Sequence, residues 1–205
     1  MPRTTPRKRP SQERSRLTVE AILDAAAQVF EAHGYAAGTT NRIAERAGVS
    51  IGSLYQYFPN KDAVLVALTE RHVAEGAALV APLLARLGPA TPLEPALREL
   101  VGAMVAAHRT RPALHRVLVE ECPRPPELRE RLEAAFEGAA RTVAAYLDAS
   151  PEVDVPDPLV AARLVVQVVE SVTHGLVIHP AAGDDVDRYV EETVRMLRSY
   201  LGAAA

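Results

Sequence analysis

Hydrophobic residues recur every three to four positions along most of the chain, which is the spacing of one face of an α-helix. The first such segment carries an apolar stripe of Ile22, Ala26, Val29 and Phe30. Thr18 is suited to cap this helix and Gly34 to end it. No segment alternates apolar and polar residues over a useful length, so we predict no strands. The pattern predicts an all-α protein of about nine helices.

Two short helices are predicted next, over about residues 40–47 and 51–57, with Ser50 as the cap of the second. Asn60 is expected to cap a long helix that starts at Lys61 and weakens near Pro82. Thr91-Pro92-Leu93-Glu94 has the form of a capping box that opens the following helix. Further helices are expected after Pro112, over about 128–147, over 158–178 and over about 186–201.

Composition places the chain among reduced, water-soluble proteins. Hydrophobic residues make up 48% of 205 residues, enough for a sizeable core, and the single cysteine, Cys122, excludes an internal disulfide framework. No N-terminal signal peptide is visible. The most apolar run, 158–178, contains Arg163, Glu170 and His174, which favours a buried soluble helix over a membrane span. We therefore expect a cytoplasmic protein with no membrane partner.

Charge is unevenly distributed along the chain. Residues 1–62 hold 9 Lys/Arg against 6 Asp/Glu, whereas residues 63–205 hold 14 against 20. A basic front and an acidic remainder suggest that the front faces nucleic acid. Residues 1–16 combine arginines with prolines, and we expect a flexible basic arm that lies along phosphates or enters a minor groove. A merely solubilising tail is the alternative.

The segment 50–58 has one apolar face and one face of small, polar and nearly uncharged residues. Leu54 and Phe58 lie together on a helical wheel, whereas Gly52, Ser53 and Gln56 point the other way. A glycine inside a helix costs about 1 kcal/mol relative to alanine. A helix that enters the major groove needs small residues for close approach and polar side chains for base edges. Gln56 is suited to adenine, so this helix is expected to read DNA.

The preceding residues complete a helix-turn-helix pattern. Ala44 is small where two helices would cross, Gly48 lies in the turn, and Leu54 follows as a buried aliphatic residue. Thr40 and Lys61 lie at helix N-termini, where a hydroxyl, an ammonium and backbone N–H groups can hold phosphates. A three-helix subdomain that binds nothing would explain neither the bare face nor the basic arm.

These residues resemble the TetR/AcrR family of bacterial transcription regulators. The resemblance rests on "TTNRIAERAGVSIGSLYQYFPNKDAVLVAL", 39–68, preceded by "ILDAAAQVFEAHGY", 22–35. It implies a homodimeric repressor of palindromic double-stranded DNA that a small-molecule effector releases. The helix-turn-helix domain would span 17–62, a ligand-binding and dimerisation domain 63–205, and the dimer would form through helices 159–178 and 184–202.

The resemblance also implies where DNA would be contacted. Carried over position by position, these contacts fall on Thr40, Ser50, Ile51, Gly52, Ser53, Tyr55, Gln56, Tyr57 and Lys61. Leu54 and Phe58 match core positions of the family. Tyr57 departs from the family pattern, which often has histidine there, but its hydroxyl can still donate to a phosphate.

Effector contacts are harder to assign because core residues have the same spacing. Inward-facing candidates in the second domain are Met104, His108, Leu118, Phe136, Gln167 and His174. The scarcity of aromatic residues favours a neutral or aliphatic effector. The six histidines and one cysteine show no close-set cluster, so no metal site is expected, and no cofactor is implied.

Two alternatives remain open for the chain as a whole. An enzyme is disfavoured because no nucleophile elbow, phosphate loop or metalloprotease motif is present. A regulator controlled by a protein partner, with no small-molecule pocket, is the second alternative. The helix at 158–178 is apolar nearly all round, which suits packing on its own domain and on a partner subunit. A wholly intramolecular core would produce the same pattern.

Overall fold

The computed structural model describes residues 13–179 and 185–202. These residues form nine α-helices, and a turn of π-helix at Val117–Glu121 follows the sixth. The helices are α1 (Glu13–Ala37), α2 (Thr40–Ala47), α3 (Ile51–Tyr57), α4 (Lys61–Arg86), α5 (Leu93–Arg109), α6 (Pro112–Arg116), α7 (Pro126–Ala149), α8 (Pro158–Ile178) and α9 (Val186–Leu201). An isolated bridge between Val153 and Gly202 is the sole β-type pairing within the described ranges. The all-α prediction is confirmed.

The described chain divides into two compact units that interleave in sequence. The N-terminal unit holds residues 13–74 together with 111–129, and the C-terminal unit holds 75–110, 130–179 and 185–202. In the N-terminal unit, α6 and the π turn pack against α1 beside the short helices. A segment far along the sequence is therefore part of the same body as the helix-turn-helix.

Helix α1 differs from its predicted bounds. It begins at Glu13, so Thr18 lies inside the helix and does not cap it, and residues 13–16, which we assigned to the arm, are helical. The rest of the predicted arm lies outside the described residues. Gly34 breaks the regular geometry with a left-handed φ of 69°, as a stop signal would, but helical structure continues to Ala37.

The turn between α2 and α3 follows the predicted pattern. Gly48 has a φ of 67°, and its N–H donates to carbonyls at the end of α2. Ser50 caps α3 by accepting a 3.0 Å hydrogen bond from the Ser53 N–H. Asn60 caps α4 in the same way, since its Oδ1 accepts a 2.9 Å bond from the Ala63 N–H. These two caps are confirmed.

Helix α4 continues through Pro82, where we expected it to weaken, and ends at Arg86. One predicted feature near the next boundary is wrong. The capping box at Thr91–Glu94 does not form: Pro92 occupies the cap position, and the Thr91 hydroxyl instead accepts a 3.1 Å bond from the Gly88 N–H. The hydroxyl therefore closes the turn before α5 and leaves the helix without a side-chain cap.

The C-terminal unit is built around α5, which packs against both α8 and α9. Its core combines Leu93, Leu97 and Val101 of α5 with residues of α7, α8 and α9. The apolar stripe of α9, including Val194, Leu197 and Leu201, is buried in this core. That stripe therefore stabilises its own unit, and any partner subunit would have to meet another face of α9.

Helix α8 has the length and apolar composition of a membrane span over Pro158–Leu176. Its inner face is nevertheless buried within its own unit, where Ala161, Val165 and Val169 are each at most 2% exposed. Arg163 on another face pairs with Glu137 of α7 at 2.8 Å. The inner face of α8 therefore belongs to the core of the C-terminal unit.

A substitution at Gly38 tests the packing of the N-terminal unit. A Cβ there would lie 2.5 Å from the Phe30 ring, which is fully buried. Gly38→Ala should lower the free energy of unfolding by about 1–3 kcal/mol, the usual cost of overpacking. Gly76→Ala, whose Cβ would meet nothing within 4 Å in α4, is the matched control and should not destabilise. Equal urea-unfolding midpoints for Gly38→Ala and wild type would contradict this packing.

Candidate functional site

Helix α3 has one buried and one open face. Leu54 is 0% exposed and Phe58, just after the helix, is 1% exposed. On the other side, the candidate contacts divide into the exposed Ile51, Gly52, Tyr55 and Gln56 and the partly exposed Ser53 and Tyr57. The helix therefore presents small and neutral polar groups outward while its apolar side anchors it.

Hydroxyl groups of this face are hydrogen bonded to one another. The Tyr55 hydroxyl lies 3.1 Å from Thr40 Oγ1, so it joins α3 to the start of α2. The Ser50 and Ser53 Oγ atoms are 2.8 Å apart. The Tyr57 hydroxyl lies 2.9 Å from Ser15 Oγ at the beginning of α1. Side chains with few rotamers are thereby fixed before any ligand arrives, which reduces the entropy cost of binding.

Gly52 is not required by the protein's own packing. A Cβ placed there would meet only Ser50 Oγ, at an ordinary contact distance of 3.8 Å. Gly52 is not one of the glycines with positive φ. Glycine therefore lowers the stability of α3 although neither packing nor φ requires it at this position. The close approach of an external surface to the helix would explain why a larger residue is absent.

Lys61 is engaged at the junction of α1 and α4. Its Nζ donates to the Tyr35 carbonyl at 2.9 Å and the Ala36 carbonyl at 3.4 Å, and lies 3.9 Å from the centre of the Tyr35 ring. The Tyr35 hydroxyl donates to the Asp62 carboxylate, and burial together with this bond raises the pKa of Tyr35 above its usual range. An ammonium has three protons, so these contacts leave one donor for a phosphate.

Two arginines of α2 add positive charge that the sequence reasoning missed. Arg42 Nη1 donates to the Ala37 carbonyl at 3.2 Å, and Arg46 Nε donates to the Gln28 side chain. Both residues are exposed, and a guanidinium has five donors, so each can also face a phosphate. Their i, i+4 spacing, which is visible in the sequence, puts them on one side of α2. The same spacing is equally typical of a solvent-exposed helix face that binds nothing.

Three of the effector candidates come together in the C-terminal unit. The rings of His108 and His174 meet edge to face with centroids 5.4 Å apart. His108 Nδ1 lies 2.7 Å from the Met104 carbonyl, and because a carbonyl only accepts, Nδ1 carries the proton. His174 Nε2 lies 3.7 Å from a Glu170 carboxylate oxygen. The result is a half-buried polar patch between α5 and α8.

The other three candidates are dispersed. Gln167 is exposed on α8, where it donates to Ser171 Oγ at 3.2 Å. Phe136 is partly buried on α7, and Leu118 is 3% exposed within the N-terminal unit. Gln167 therefore lies on an exposed face of the C-terminal unit, and Leu118 belongs to the core of the N-terminal unit.

A cavity that the sequence reasoning did not find lies in the C-terminal unit. It is small, with room for about one water molecule, it is partly open to solvent, and only apolar atoms face it. The lining residues are Leu87, Ala96, Leu97, Leu100, Val143, Tyr146, Leu147 and Val165. Each of them looks like an ordinary core residue in the sequence, so only the assembled helices show the space between them.

The N-terminal unit contains a histidine pair and a thiol that no sequence spacing predicts. His72 Nε2 of α4 lies 3.0 Å from His115 Nδ1 of α6, although 43 positions separate them. Close by in sequence, the Cys122 thiol accepts a 3.1 Å bond from the Thr69 hydroxyl. Burial raises the pKa of Cys122, so this thiol is a poor nucleophile.

The Ser50 and Ser53 pair allows the capping of α3 to be measured directly. Ser50→Ala removes the acceptor of the Ser53 N–H and should lower the free energy of unfolding by about 1 kcal/mol. Ser53→Ala removes an equally small hydroxyl of the same pair but leaves the cap in place, so it should cost clearly less. Equal losses in chemical denaturation would show that the cap does not determine the stability of this helix.

Two family descriptions match the chain. The one for the N-terminal part of bacterial regulatory proteins of the tetR family matches residues 22–68. The one for a tetracyclin repressor-like C-terminal domain matches residues 92–201, which is more than half of the chain. The first match runs from within α1 to the first turns of α4, and the second match covers α5 to α9.

Curated relatives match a short stretch of the chain. A fatty acid metabolism regulator protein of Bacillus subtilis (strain 168) is 37% identical over 54 residues, which make up 26% of this chain and 28% of that protein. An HTH-type transcriptional activator, FasR of Mycolicibacterium smegmatis, is 46% identical over 52 residues, 25% of this chain and 24% of that protein. The matching stretch thus spans less than a third of each relative.

Solved structures match over nearly the whole chain. A TetR-family transcriptional regulator from Mesorhizobium loti has a TM-score of 0.74 at 19% identity and covers 94% of this chain and 100% of its own. FadR from Bacillus subtilis, in complex with stearoyl-CoA, has a TM-score of 0.67 at 19% identity and covers 88% of this chain and 97% of its own. At these identities the likeness shows a shared fold.

Proposed function

The chain belongs to the TetR family of bacterial transcriptional regulators, and from that premise we propose that it is a dimeric repressor. It binds a palindromic DNA operator in the cytoplasm through α2 and α3, and a small-molecule effector releases it. The observation that carries the proposal is the bare outer face of α3, with Gly52 and Gln56 exposed opposite the buried Leu54.

The DNA contacts we propose are those of this face and its edges. Gln56 reads a base edge and Ile51 meets a thymine methyl. Tyr55 and Thr40 form a hydrogen-bonded pair, which has one hydroxyl proton left to donate to a phosphate. The remaining contacts come from Ser50, Gly52, Ser53, Tyr57 and Lys61. Arg42 and Arg46 add phosphate contacts from α2, since both guanidinium groups are exposed.

The dimer surface we propose lies on the outer faces of α8 and α9. Five of the nine large apolar residues exposed on the described surface belong to these two helices, so exposed apolar area is concentrated there. Val160 and Leu164 of α8 are 47% and 46% exposed, and Met196 and Tyr200 of α9 are 50% and 45% exposed. The neutral Gln167 and Ser171 continue the α8 stripe. Such stripes suit an isologous interface.

Control by a small molecule is supported by the structural neighbour FadR, which was solved with stearoyl-CoA bound. In the present chain we assign the effector to the C-terminal unit, which holds most of the part that matches a tetracyclin repressor-like C-terminal domain. An effector that binds more tightly to the DNA-free state shifts the population toward that state and empties the operator. A regulator of this family needs no catalytic group for that task, and we assign no enzymatic activity.

Gly52→Ala separates fold from function. Alanine fits the helix, so the free energy of unfolding should stay the same or rise by up to about 1 kcal/mol. Affinity for the DNA flanking the protein's own gene should nevertheless fall about tenfold or more, because the added methyl keeps α3 away from the groove. Gly138→Ala, in an open position on α7, is the control and should leave DNA binding unchanged. Undiminished DNA binding by Gly52→Ala would refute close approach at this position.

Carboxylates introduced on the exposed apolar stripes test the dimer surface. The double variant Leu164→Glu and Met196→Glu places carboxylates on both exposed stripes and should convert dimers to monomers in analytical ultracentrifugation. Arg195→Glu, on another side of α9, is the matched control and should remain dimeric. Dimers that persist in the double variant would place the interface elsewhere.

A further inference from the structure

We propose that His72 and His115 form a binding site for a divalent transition-metal ion, Cu²⁺ or Ni²⁺ in preference to Zn²⁺. His72 lies on α4 and His115 on α6, and both belong to the N-terminal unit. The site goes beyond the proposed regulator role, and metal binding can be measured without DNA. Sequence spacing led us to expect no metal site, because only packing brings together two residues 43 positions apart.

The two imidazole rings turn nitrogen atoms toward each other. His72 Nε2 lies 3.0 Å from His115 Nδ1, and the ring planes are inclined at 55°. A neutral imidazole has one N–H and one lone pair, so this contact is a hydrogen bond in which one ring donates. When that proton moves through solvent to the other nitrogen of its ring, both facing nitrogen atoms carry lone pairs. Neutral imidazole is the commonest side-chain ligand of metal ions, so one ion can then bind both rings.

The separation of the two nitrogen atoms indicates which ions fit. Since metal–nitrogen bonds are about 2.0–2.1 Å long, two nitrogen ligands lie about 2.9 Å apart at a right angle and about 3.3–3.4 Å apart at a tetrahedral angle. The observed 3.0 Å is close to the right-angle value. Tetragonal coordination with right angles is typical of Cu²⁺ and Ni²⁺, whereas Zn²⁺ favours a tetrahedron. The pair therefore selects Cu²⁺ or Ni²⁺.

Contacts outside the pair hold the two helices in place. Thr69, one turn before His72 on α4, donates a 3.1 Å bond to the thiol of Cys122, which follows α6 and the π turn. At the start of α6, Arg111 Nε donates to the Glu31 carboxylate of α1 at 2.9 Å. These bonds exist without a metal, so an ion that binds the pair does not have to order the helices first.

The surroundings of the pair admit a cation. His115 is 3% exposed, whereas His72 is partly exposed, so an ion can enter on the His72 side and keep water in its other coordination positions. Arg71, the cation next to His72 in sequence, pairs with Glu20 at 3.2 Å and with Asp24 at 2.7 Å. Two carboxylates outweigh one guanidinium there, so the neighbouring charge does not repel a divalent ion.

A bound ion would tie α4 to α6 across 43 positions of the chain. A metal clip that closes a long loop lowers the entropy of the unfolded chain. An ion that binds the folded protein more tightly than the unfolded one also stabilises the fold as its concentration rises. Because α6 packs against α1, the stabilised body is the one that carries the helix-turn-helix.

Calorimetric titration of the untagged full chain with nickel chloride tests the site. Wild type should bind one Ni²⁺ per chain, more tightly than Zn²⁺, and should not bind Mg²⁺, which prefers oxygen ligands. His72→Gln, at a partly exposed position, should fold and should weaken Ni²⁺ binding about tenfold or more. His33→Gln removes an exposed imidazole of α1 outside the pair, so this control should bind as wild type does.

Two results of the titration would overturn the proposal. Unchanged Ni²⁺ affinity in His72→Gln, or no binding by wild type, would refute the site. Tighter binding of Zn²⁺ than of Ni²⁺ would refute the right-angle geometry from which the choice of ion follows.

Urea unfolding with and without Ni²⁺ gives a second readout. The unfolding midpoint of wild type and of His33→Gln should rise with Ni²⁺ concentration, whereas those of His72→Gln and His115→Gln should stay constant. Each variant is compared with itself, so any loss of stability from replacing the buried His115 does not imitate the loss of the metal effect. An equal rise in wild type and in His72→Gln would show that Ni²⁺ binds elsewhere and would refute the site.

Discussion

Leu54 and Phe58 hold in place a helix of seven residues, too short to be stable in water by itself. Their burial, together with the Ser50 cap, fixes α3 so that its other face needs no stabilising residues of its own. That face can then carry a glycine and neutral polar groups, which would be poor choices in an isolated helix. The DNA recognition that we propose for α3 depends on this difference between its two faces.

In the C-terminal unit, the longer helices α8 and α9 also have two faces of different character. The inner faces of α8 and α9 pack with α5 and α7 in one core. Their outer faces still carry Leu164, Met196 and Tyr200, which a solitary domain has no reason to expose. We propose that this apolar face meets a second copy of the chain.

Local signals in the sequence were sufficient for much of this fold. Helical periodicity, the caps at Ser50 and Asn60 and the turn at Gly48 involve residues within one or two turns of each other, and all appear as predicted. Thr18 and Thr91 show the limit of such signals, because a good capping residue can lie inside a longer helix or satisfy a neighbouring turn. The preference of a residue type for cap positions does not decide whether a given threonine caps a helix, lies inside it or closes a turn.

The candidate site was predictable on the DNA side and much less so on the effector side. Exposed positions of α3 follow from a helical wheel, which needs no knowledge of distant contacts. The His72–His115 pair and the apolar cavity arise from packing between segments far apart in sequence. Of the residues chosen for the effector, His108 and His174 meet, whereas Gln167 lies on an outer face.

The central claim, sequence-specific recognition by α3, is tested most directly by selecting binding sites from random double-stranded DNA with wild type and with Gln56→Ala. The account predicts that wild type enriches a palindrome whose half-sites have centres about 34–36 Å apart. It also predicts that Gln56→Ala loses preference at one base pair of each half-site, by about 1–3 kcal/mol. Failure of wild type to enrich any sequence, or enrichment of the same site with unchanged preference by Gln56→Ala, would contradict it.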